Sequence, residues 1–406
     1  MPEITEGMIA VDVALENVLV GVSQLGSEDI NVADAQGRIL AADVASHLTQ
    51  PPVNVSAMDG YAVRAADVAM VPVTLAQIGE SAAGSGFNGK IEAGQTIRIF
   101  TGAPVPEGAD AIVIQEDTDV DGDQITIKEV SPAGKFIRPA GLDFNTGDVL
   151  LKAGIRLNSR NTALAAAMNV PWLKVTRQPR VAIFSTGDEL VMPGEPLGPD
   201  QIVNSNSIGL AAFVQANGGV PINLGIAKDD PDSLREILTM TTGTDMLVTI
   251  GGASVGDYDL VKTVLGEEGL DITFSRVAMR PGKPLIFGKI KGIPMLGLPG
   301  NPVSAGVTAA LFLRPAMNKM LGAADTTHVT ETAVLGRDLA ENDKRQDYIR
   351  ATLTMGSEGT LTATPFDHQD SSMLARFAEA ACLIVRAPFA GPIKAGERVK
   401  IIRLGG

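Results

Sequence analysis

Cysteine is nearly absent from this 406-residue chain, which carries only Cys382. A single cysteine excludes an intramolecular disulfide and any cysteine-based zinc cluster. Its neighbours from Ala380 to Val385 are small or apolar, so we expect a thiol packed in a core. Aromatic residues are also scarce, at 4% of the chain, whereas hydrophobic residues make up 45%. The cores must therefore be filled mainly by aliphatic side chains.

Long hydrophobic runs and an excess of basic charge are missing as well. No apolar run reaches the length of a transmembrane helix. The segment from Met1 to Glu6 is acidic and lacks the basic and apolar regions of a secretory signal. The formal net charge of −14 would repel nucleic acid. We expect a soluble, cytoplasmic protein of several domains that binds neither membranes nor nucleic acid.

Several catalytic signatures are also lacking. The three histidines, His47, His328 and His368, fall in different predicted domains, and none has the spacing of a zinc site. No nucleophile elbow, Walker loop or dinucleotide-binding glycine loop opens a helix. These absences argue against a serine hydrolase, a P-loop NTPase and a nicotinamide-dependent dehydrogenase.

The distribution of apolar, polar and turn-forming residues along the chain predicts a multidomain α/β plus β protein in four parts. Residues 1–45 and 146–177 form an elongated α region, and residues 46–145 form a mostly β insert domain. Residues 178–327 alternate strand and helix signals, which predicts a doubly wound α/β domain with a parallel sheet. Residues 328–406 alternate as strands do, which predicts a small β barrel or sandwich.

Local patterns make these predictions more specific. The spacing from Met8 to Val22 predicts a helix that packs with a second one capped by Asn158. A hairpin is predicted over 120–127, with Asp121-Gly122 supplying the positive φ angles. A closing helix from Val303 to Leu321 is expected to bend near Pro315.

A glycine loop follows the predicted strand from Met246 to Ile250. The pair Gly251-Gly252 allows the backbone to turn sharply and approach a ligand, and Gly256 to Leu265 then has a helical pattern. Free N–H groups between a strand end and a helix start suit an anion. Asp257 and Asp259 also suit a metal or an acid–base role. A tight turn with Asp257 as a helix cap is the structural alternative.

Polar groups recur wherever a strand of the α/β domain is predicted to end. Parallel strands bring their carboxyl ends to one sheet edge, so we expect a pocket for phosphate and a divalent cation there. Each group also has a structural explanation, such as helix capping by Asp229, a solvated Lys283 or a turn at Pro299-Gly300. The groups are Ser185 to Glu189 with Thr186, Asp229-Asp230, Gly251 to Asp259 with Gly252 and Ser254, Arg280 to Pro284, and Leu298 to Ser304.

Three turn sequences in the insert place polar residues beside glycine: Ser56 to Val63, Thr101 to Pro104, and Arg138 to Asp143. By pattern alone these are ordinary β-turns.

Taken together and in this order, the motifs resemble the MoeA family of molybdopterin molybdenumtransferases, whose animal relative is the C-terminal domain of gephyrin. The likeness covers essentially the whole chain. It implies a molybdopterin-binding α/β domain and a homodimer whose active site lies between this domain and the partner's insert. The motifs are Ser56 to Ala62, Thr101 to Pro104, Ser185 to Leu190, Gly251 to Asp259, Arg280 to Pro284 and Pro299 to Ser304.

The resemblance implies a reaction and a set of site residues. Adenylylated molybdopterin is hydrolysed with the help of Mg²⁺, and molybdenum from molybdate is inserted. Catalytic roles are implied for Asp59, Glu189, Asp229 and Asp259, with Asp59 and Asp259 as metal ligands. The expected substrate-binding residues are Thr101, Asp143, Thr186, Gly251, Gly252, Ser254, Arg280, Lys283, Pro302, Ser304, Arg350 and Ser372.

Elementary chemistry agrees with these roles. Phosphoanhydride cleavage needs neutralised charge and an oriented water more than a covalent nucleophile. Arg280, Lys283 and Arg350 would bind oxyanions in a chain of negative net charge.

Three positions depart from the pattern of many relatives. Arg280 stands where many have lysine, Leu142 stands where many have glutamate before Asp143, and Asp370 interrupts a Gln-Gly-Ser or Gln-Ser-Ser sequence.

Two alternative functions are weighed against this one. A molybdopterin adenylyltransferase would share the α/β domain but not the insert and the C-terminal part. A non-enzymatic scaffold like gephyrin would have a further N-terminal domain and a long linker. Contact with other proteins of molybdenum-cofactor synthesis is also expected.

Overall fold

The computed structural model describes residues 7–251, 260–356 and 359–405. Among these residues, no helix is both long and apolar enough to cross a membrane. The α-helices are α1 (Val11–Gly21), α2 (Ser159–Ala167), α3 (Ser205–Ala216), α4 (Pro231–Thr239), α5 (Leu260–Glu267), α6 (Pro302–Thr308), α7 (Arg314–Met320) and α8 (Leu374–Ala378).

The first part of the chain contains a β insert within an extended region. Six strands of the insert form one sheet in the order β7-β4-β6-β5-β9-β8, and the short β3 pairs with β10. The extended region is held by two ladders, β1 with β12 and β2 with β11. The strands are β1 (Ser27–Asn31), β2 (Val44–Ala45), β3 (Val55–Ser56), β4 (Gly60–Val63), β5 (Val73–Ser81), β6 (Gln95–Ile99), β7 (Ala111–Ile114), β8 (Thr118–Asp121), β9 (Gln124–Ile127), β10 (Ile137–Arg138), β11 (Val149–Leu151) and β12 (Trp172–Thr176).

Helices α1 and α2 belong to different cores, so the prediction that they pack together is wrong. Ala14 and Val18 of α1 lie in the core of the α/β domain. Ala165 and Met168 lie in a separate core with Leu173. The β1–β12 ladder joins the two arms of the extended region, which leaves the apolar face of α1 available to cover the α/β domain.

The predicted hairpin forms, but its turn is one residue further along than expected. Asp121 pairs with Gln124, so the two turn residues are Gly122 and Asp123. Gly122 has a φ of 57°, as the first central residue of a type II′ turn requires. The pair Asp121-Gly122 therefore does not supply two positive φ angles.

The α/β domain contains a six-stranded sheet in the order β16-β13-β17-β21-β20-β18. One face packs on α1, α3 and the α6–α7 region, and the other packs on α4 and α5. This layering confirms the doubly wound architecture. The strands of the domain are β13 (Arg180–Thr186), β14 (Leu190–Val191), β15 (Ile202–Val203), β16 (Val220–Ala227), β17 (Met246–Ile250), β18 (Leu270–Arg276), β19 (Met279–Arg280), β20 (Pro284–Ile290) and β21 (Ile293–Leu298).

The sheet is mixed, however, and not purely parallel as expected. Strands β16, β13, β17 and β21 are parallel, whereas β20 and β18 run antiparallel to their neighbours. Only Lys291 and Gly292 connect β20 with β21, and both have positive φ angles. A two-residue turn leaves no room for a crossover, so the two strands must be antiparallel.

The closing helix is interrupted just before Pro315, close to the predicted bend. A π-helical segment, Ala309–Leu313, separates α6 from α7. Pro315 has no N–H to donate to the carbonyl of Leu311, four residues earlier. Nε2 of His328 lies 2.9 Å from that carbonyl oxygen. His328 thus supplies a hydrogen bond that the proline cannot.

The C-terminal part is a closed five-stranded barrel, which decides between the predicted barrel and sandwich. The strands follow the order β23-β24-β22-β26-β25, and β25 pairs again with β23. Strand β19 of the α/β domain adds to β23 in parallel. The strands are β22 (Glu331–Leu335), β23 (Gln346–Met355), β24 (Leu361–Pro365), β25 (Cys382–Arg386) and β26 (Arg398–Arg403).

Candidate functional site

A cavity of about 1190 Å³ opens at the carboxyl ends of the parallel strands. A loop of the barrel, Gln369 to Ser372, forms its opposite wall. The position agrees with the rule that ligands of open α/β sheets bind beyond the carboxyl ends of the strands. The sequence-predicted residues on its surface are Thr186, Glu189, Asp229, Gly251, Arg280, Lys283, Pro302, Ser304 and Ser372.

Gly251 forms part of the cavity floor and has no room for a side chain. Its φ is 87°, and a Cβ atom there would lie 2.8 Å from the carbonyl oxygen of Thr186. Thr186 itself is buried at the end of β13. The N–H of Gly251 donates to the carbonyl of Leu298 over 3.1 Å, so the turn leaves the sheet while still bonded to β21. The predicted site residues Gly252, Ser254 and Asp259 lie outside the described residues.

Three carboxylates gather at one end of the cavity. The backbone N–H of Asp229 donates to Oδ1 of Asp188 over 3.1 Å. The carboxylate of Glu189 folds back over Gly187, where a side chain at residue 187 would stand. Burial raises the pKa of Asp229, and the nearby charges of Asp188 and Glu189 raise it further. Asp229 thus holds a proton more readily than an ordinary aspartate.

Arg280 lines the cavity but is already paired with the barrel. Its Nε donates to Oδ1 of Asp347 over 2.8 Å, and Nη2 donates to the other oxygen of the same carboxylate. Its Nη1 lies 3.4 Å from Asp343. Asp347 is only 6% exposed. The sequence predicted Arg280 as a substrate-binding cation, and the structure shows most of its charge neutralised by these two carboxylates.

Lys283 differs from Arg280 in the surroundings of its charged group. It lies on the same cavity wall, yet its ammonium group makes no hydrogen bond or ion pair with any described residue. Its backbone carbonyl accepts from Val277 N–H over 3.0 Å, which fixes the chain beneath it. Lys283 is therefore a positioned cation whose charge remains available to a ligand.

The barrel contributes Arg350 behind the loop that lines the cavity. Arg350 is 1% exposed, its Nη2 donates to the carbonyl of Asp370 over 2.9 Å, and its backbone N–H donates to Oε1 of Gln369 over 3.0 Å. Its Nη1 is buried without a hydrogen-bond partner in the described part of the chain. Arg350 thus supports the wall from behind and retains one unused donor.

The start of α6 is joined to this same loop. The N–H of Val303 donates to the carbonyl of Ser371 over 3.1 Å, and the side chain of Asn301 donates to its hydroxyl over 2.9 Å. Pro302, at the first helical position, has no N–H to satisfy. Ser304 is 5% exposed and lies at the cavity surface.

The predicted residues of the insert do not line this cavity as the described residues define it. Oδ1 of Asp59 accepts from the backbone N–H and the hydroxyl of Thr101, over 2.7 and 2.8 Å. These hydrogen bonds lower the pKa of Asp59. Asp143 lines a separate cleft of about 510 Å³ in the insert. Within one chain, the sequence-predicted set therefore divides into two groups.

Two asparagines at the start of α3 were missed by the sequence analysis. Asn204 is 2% exposed and caps α3, with Oδ1 accepting from Ser207 N–H. The side chain of Asn206 donates to the carbonyl of Gly300 over 2.6 Å. An asparagine followed by helical spacing is a capping signal, but its position at the cavity depends on the fold.

The architecture and the cavity define a multidomain α/β protein in which a barrel completes the cavity at the sheet edge. Three family models match in sequence: the MoeA N-terminal region (domain I and II) over residues 9–169, the probable molybdopterin binding domain over 182–319, and the MoeA C-terminal region (domain IV) over 332–404.

Full-length relatives agree with these matches. A molybdopterin molybdenumtransferase of Nostoc sp. is 42% identical over 340 residues, which cover 82% of this chain and 78% of the relative. That of Haemophilus influenzae is 34% identical over 92% of this chain and 93% of its own. The crystal structure of the molybdopterin biosynthesis MoeA protein from Pyrococcus horikosii superimposes with a TM-score of 0.84 at 32% identity, covering 98% of this chain and 100% of that one. The chain therefore belongs to the MoeA family, and the resemblance found in the sequence is confirmed.

Proposed function

We propose that this chain is a molybdopterin molybdenumtransferase that acts on adenylylated molybdopterin and molybdate. Water cleaves the phosphoanhydride, AMP leaves, and molybdenum is inserted at the dithiolene. Family membership supports the transferase activity, since relatives that share most of its length carry that name. The observation that carries the anionic substrate is Lys283, a cation of the cavity wall that has no ionic partner in the described part of the chain.

The residues of the cavity divide the work of the proposed reaction. Lys283 would bind phosphate oxygens through charge-assisted hydrogen bonds. Asp229 and Glu189, on the opposite side of the glycine floor, would orient the attacking water and accept its proton. The raised pKa of Asp229 helps it to hold that proton when the phosphoanhydride has broken. Arg280 would act mainly by holding its loop to Asp347.

A magnesium requirement belongs to the proposal. No group of three His, Cys, Asp or Glu side chains in the described ranges is arranged to hold a metal. The carboxylates nevertheless fit Mg²⁺, which binds oxygen and often uses one or two carboxylates with substrate phosphates and water. Asp59 and Asp259 would hold the ion, which would neutralise charge on the phosphates. Asp59 carries its charge readily, because Thr101 lowers its pKa.

A homodimer is also proposed. Asp59, Thr101 and Asp143 lie away from the cavity within a single chain, so the insert of a partner subunit would have to bring equivalent residues to it. Contacts with other proteins of molybdenum-cofactor synthesis and a cytoplasmic location are further parts of the proposal. Light scattering should give twice the mass of one 42.2 kDa chain in an active preparation. A single-chain mass would contradict the composite site.

Release of AMP in a single turnover tests the proposed chemistry. The enzyme is mixed with less than one equivalent of adenylylated molybdopterin, with molybdate and Mg²⁺, and AMP is separated by chromatography. Asp259→Asn should slow release by about two orders of magnitude, because it removes a carboxylate that would hold Mg²⁺, whose charge stabilisation of the transition state is worth several kcal/mol. Asp232→Asn is the matched control, because Asp232 is an exposed acid in the first turn of α4 that pairs with Arg235.

The two variants should behave differently. Bound adenylylated molybdopterin should accumulate in Asp259→Asn, since Lys283 and the glycine floor remain. If Asp259→Asn releases AMP at the wild-type rate, Asp259 has no role in the reaction, and Asp59 or Asp229 becomes the better candidate. If wild-type protein releases no AMP at all, the proposed hydrolysis is wrong.

A further inference from the structure

A carboxylate of the barrel loop occupies hydrogen-bond donors at the cavity surface. Oδ1 of Asp370 accepts from the backbone N–H of Ser372 over 2.8 Å and from its hydroxyl over 2.6 Å. These two donors converge on one oxygen, as they would on an oxygen of a bound anion. Asp370 and Ser372 both line the large cavity, and the carboxylate is exposed to solvent.

The backbone on both sides of this contact is fixed by other bonds. The Gln369 side chain exchanges hydrogen bonds with the backbone of Arg350 on β23. Ser371 accepts from the start of α6, and the carbonyl of Ser372 accepts from Leu374 N–H over 2.9 Å. These bonds hold the backbone N–H of Ser372 in place when the Asp370 side chain rotates away, and the Ser372 hydroxyl can then turn toward a new acceptor. Only one exposed side chain has to move to free them.

Positive charge lies directly behind this contact. The guanidinium of Arg350 is buried, donates to the carbonyl of Asp370, and has no carboxylate partner among the described residues. A buried guanidinium without a paired acid attracts an anion to the nearest accessible surface. The hydrogen bonds from Ser372 lower the pKa of Asp370, and the charge of Arg350 lowers it further.

We propose that Asp370 is a built-in competitor for the oxyanion at Ser372. This inference rests on the proposed function, in which the chain binds molybdate, and it takes the predicted substrate-binding residues Ser372 and Arg350 as the site of that anion. A molybdate ion is acceptor-only near neutral pH, so it needs the same N–H and O–H donors that Asp370 holds. Binding must displace the Asp370 carboxylate, and a second negative charge then remains beside the dianion. Asp370 therefore sets the affinity of the site and keeps its donors satisfied until the anion arrives.

Calorimetric titration of the full-length protein with sodium molybdate tests this idea. Asp370→Asn keeps the shape but removes the charge, and it should bind molybdate about tenfold more tightly, on the scale of one solvent-exposed charge-assisted hydrogen bond. Asp367→Asn is the matched control, because Asp367 lies on the same loop, pairs with Arg337 and does not line the cavity. It should leave the affinity within about twofold of wild type. Asp370→Ser provides a second uncharged variant.

A double-mutant cycle with Ser372→Ala identifies the route of the effect. Ser372→Ala should weaken molybdate binding, and adding Asp370→Asn should restore little of it, because the shared hydroxyl donor is gone. Unchanged or weaker binding by both Asp370 variants overturns the inference while leaving the oxyanion site intact. A full tenfold gain in the Ser372→Ala background also overturns it, since the charge would then act without competing for the donors. Wild-type affinity in Ser372→Ala would overturn both the competitor and the placement of molybdate, whereas AMP release tests the hydrolysis separately.

Discussion

The two cations of one cavity wall, Arg280 and Lys283, should respond to mutation in opposite ways. They lie three residues apart on the same turn, and both face the cavity. Arg280 is paired with the buried carboxylate of Asp347, whereas Lys283 has no ionic or hydrogen-bond partner among the described residues. We predict that Lys283→Ala impairs ligand binding with little effect on folding, and that Arg280→Ala mainly destabilises the fold.

The expected magnitudes follow from these contacts. Loss of one charge-assisted hydrogen bond to a ligand costs about 1.5–3 kcal/mol, which is roughly a 10- to 150-fold rise in Kd for Lys283→Ala. Its effect on the free energy of unfolding should stay below about 0.5 kcal/mol, since the ammonium group makes no hydrogen bond or ion pair within the described protein. Arg280→Ala leaves Asp347, 6% exposed, without its main partner. Because the Arg280 side chain is 47% exposed, solvent screening reduces the expected destabilisation to about 1–3 kcal/mol.

Two measurements on the same preparations separate these effects. Urea denaturation gives the free energy of unfolding, and calorimetry with adenylylated molybdopterin and with molybdate gives the affinities. The reasoning is refuted if Lys283→Ala binds both ligands like wild type. It is also refuted if Lys283→Ala is destabilised as much as Arg280→Ala, because the ammonium group would then have a structural partner.

The remaining predictions concern pH, backbone geometry and the insert. Burial lowers the pKa of His328 in the folded protein. As the pH falls, the unfolded chain therefore takes up a proton on this ring before the folded protein does. The stability due to the neutral ring is present above about pH 6.5 and is lost below it. Urea midpoints at about pH 7 and about pH 5.5 should therefore differ less in His328→Gln than in wild type, and an equal difference would contradict this assignment. Gly251→Ala should cost about 1–3 kcal/mol of unfolding free energy, because it forces a positive φ and a contact with Thr186. Gly300→Ala should be nearly silent, because its Cβ would meet only an ordinary contact, 3.8 Å from Cα of Gly251. Asp59→Asn should slow single-turnover AMP release by about tenfold or more without changing the urea midpoint; wild-type release would remove Asp59 from the site.

The sequence predicted strands well where they are buried on both faces. Met246–Ile250 is wholly buried and reads as a continuous apolar run, so its place in the sheet was evident. Strand Leu270–Arg276 was missed, because it lies at the sheet edge with several exposed residues and shows no apolar run. The antiparallel direction of β20 depends on a two-residue turn, Lys291 and Gly292, which the sequence pattern did not reveal.

The candidate site was less predictable because its partners are far apart in sequence. Strand ends placed Thr186, Glu189 and Asp229 at one edge correctly, since sheet topology alone brings them together. The pairing of Arg280 with Asp347 joins residues 67 positions apart in two domains. No local sequence pattern distinguishes an arginine that is paired in this way from an unpaired arginine that could bind a ligand. The roles of the individual site residues remain predictions that the proposed measurements will test.

The short ladder between β19 and β23 has a consequence for building hybrid proteins from this family. Met279 and Arg280 pair with Gln346 and Asp347, so one wall of the cavity is formed by the α/β domain but aligned by the barrel. A chimera that takes its barrel from a relative would need a carboxylate at the position of Asp347 and the same strand register. Without both, the turn that carries Lys283 would no longer be held in position, even if each transplanted domain folded correctly.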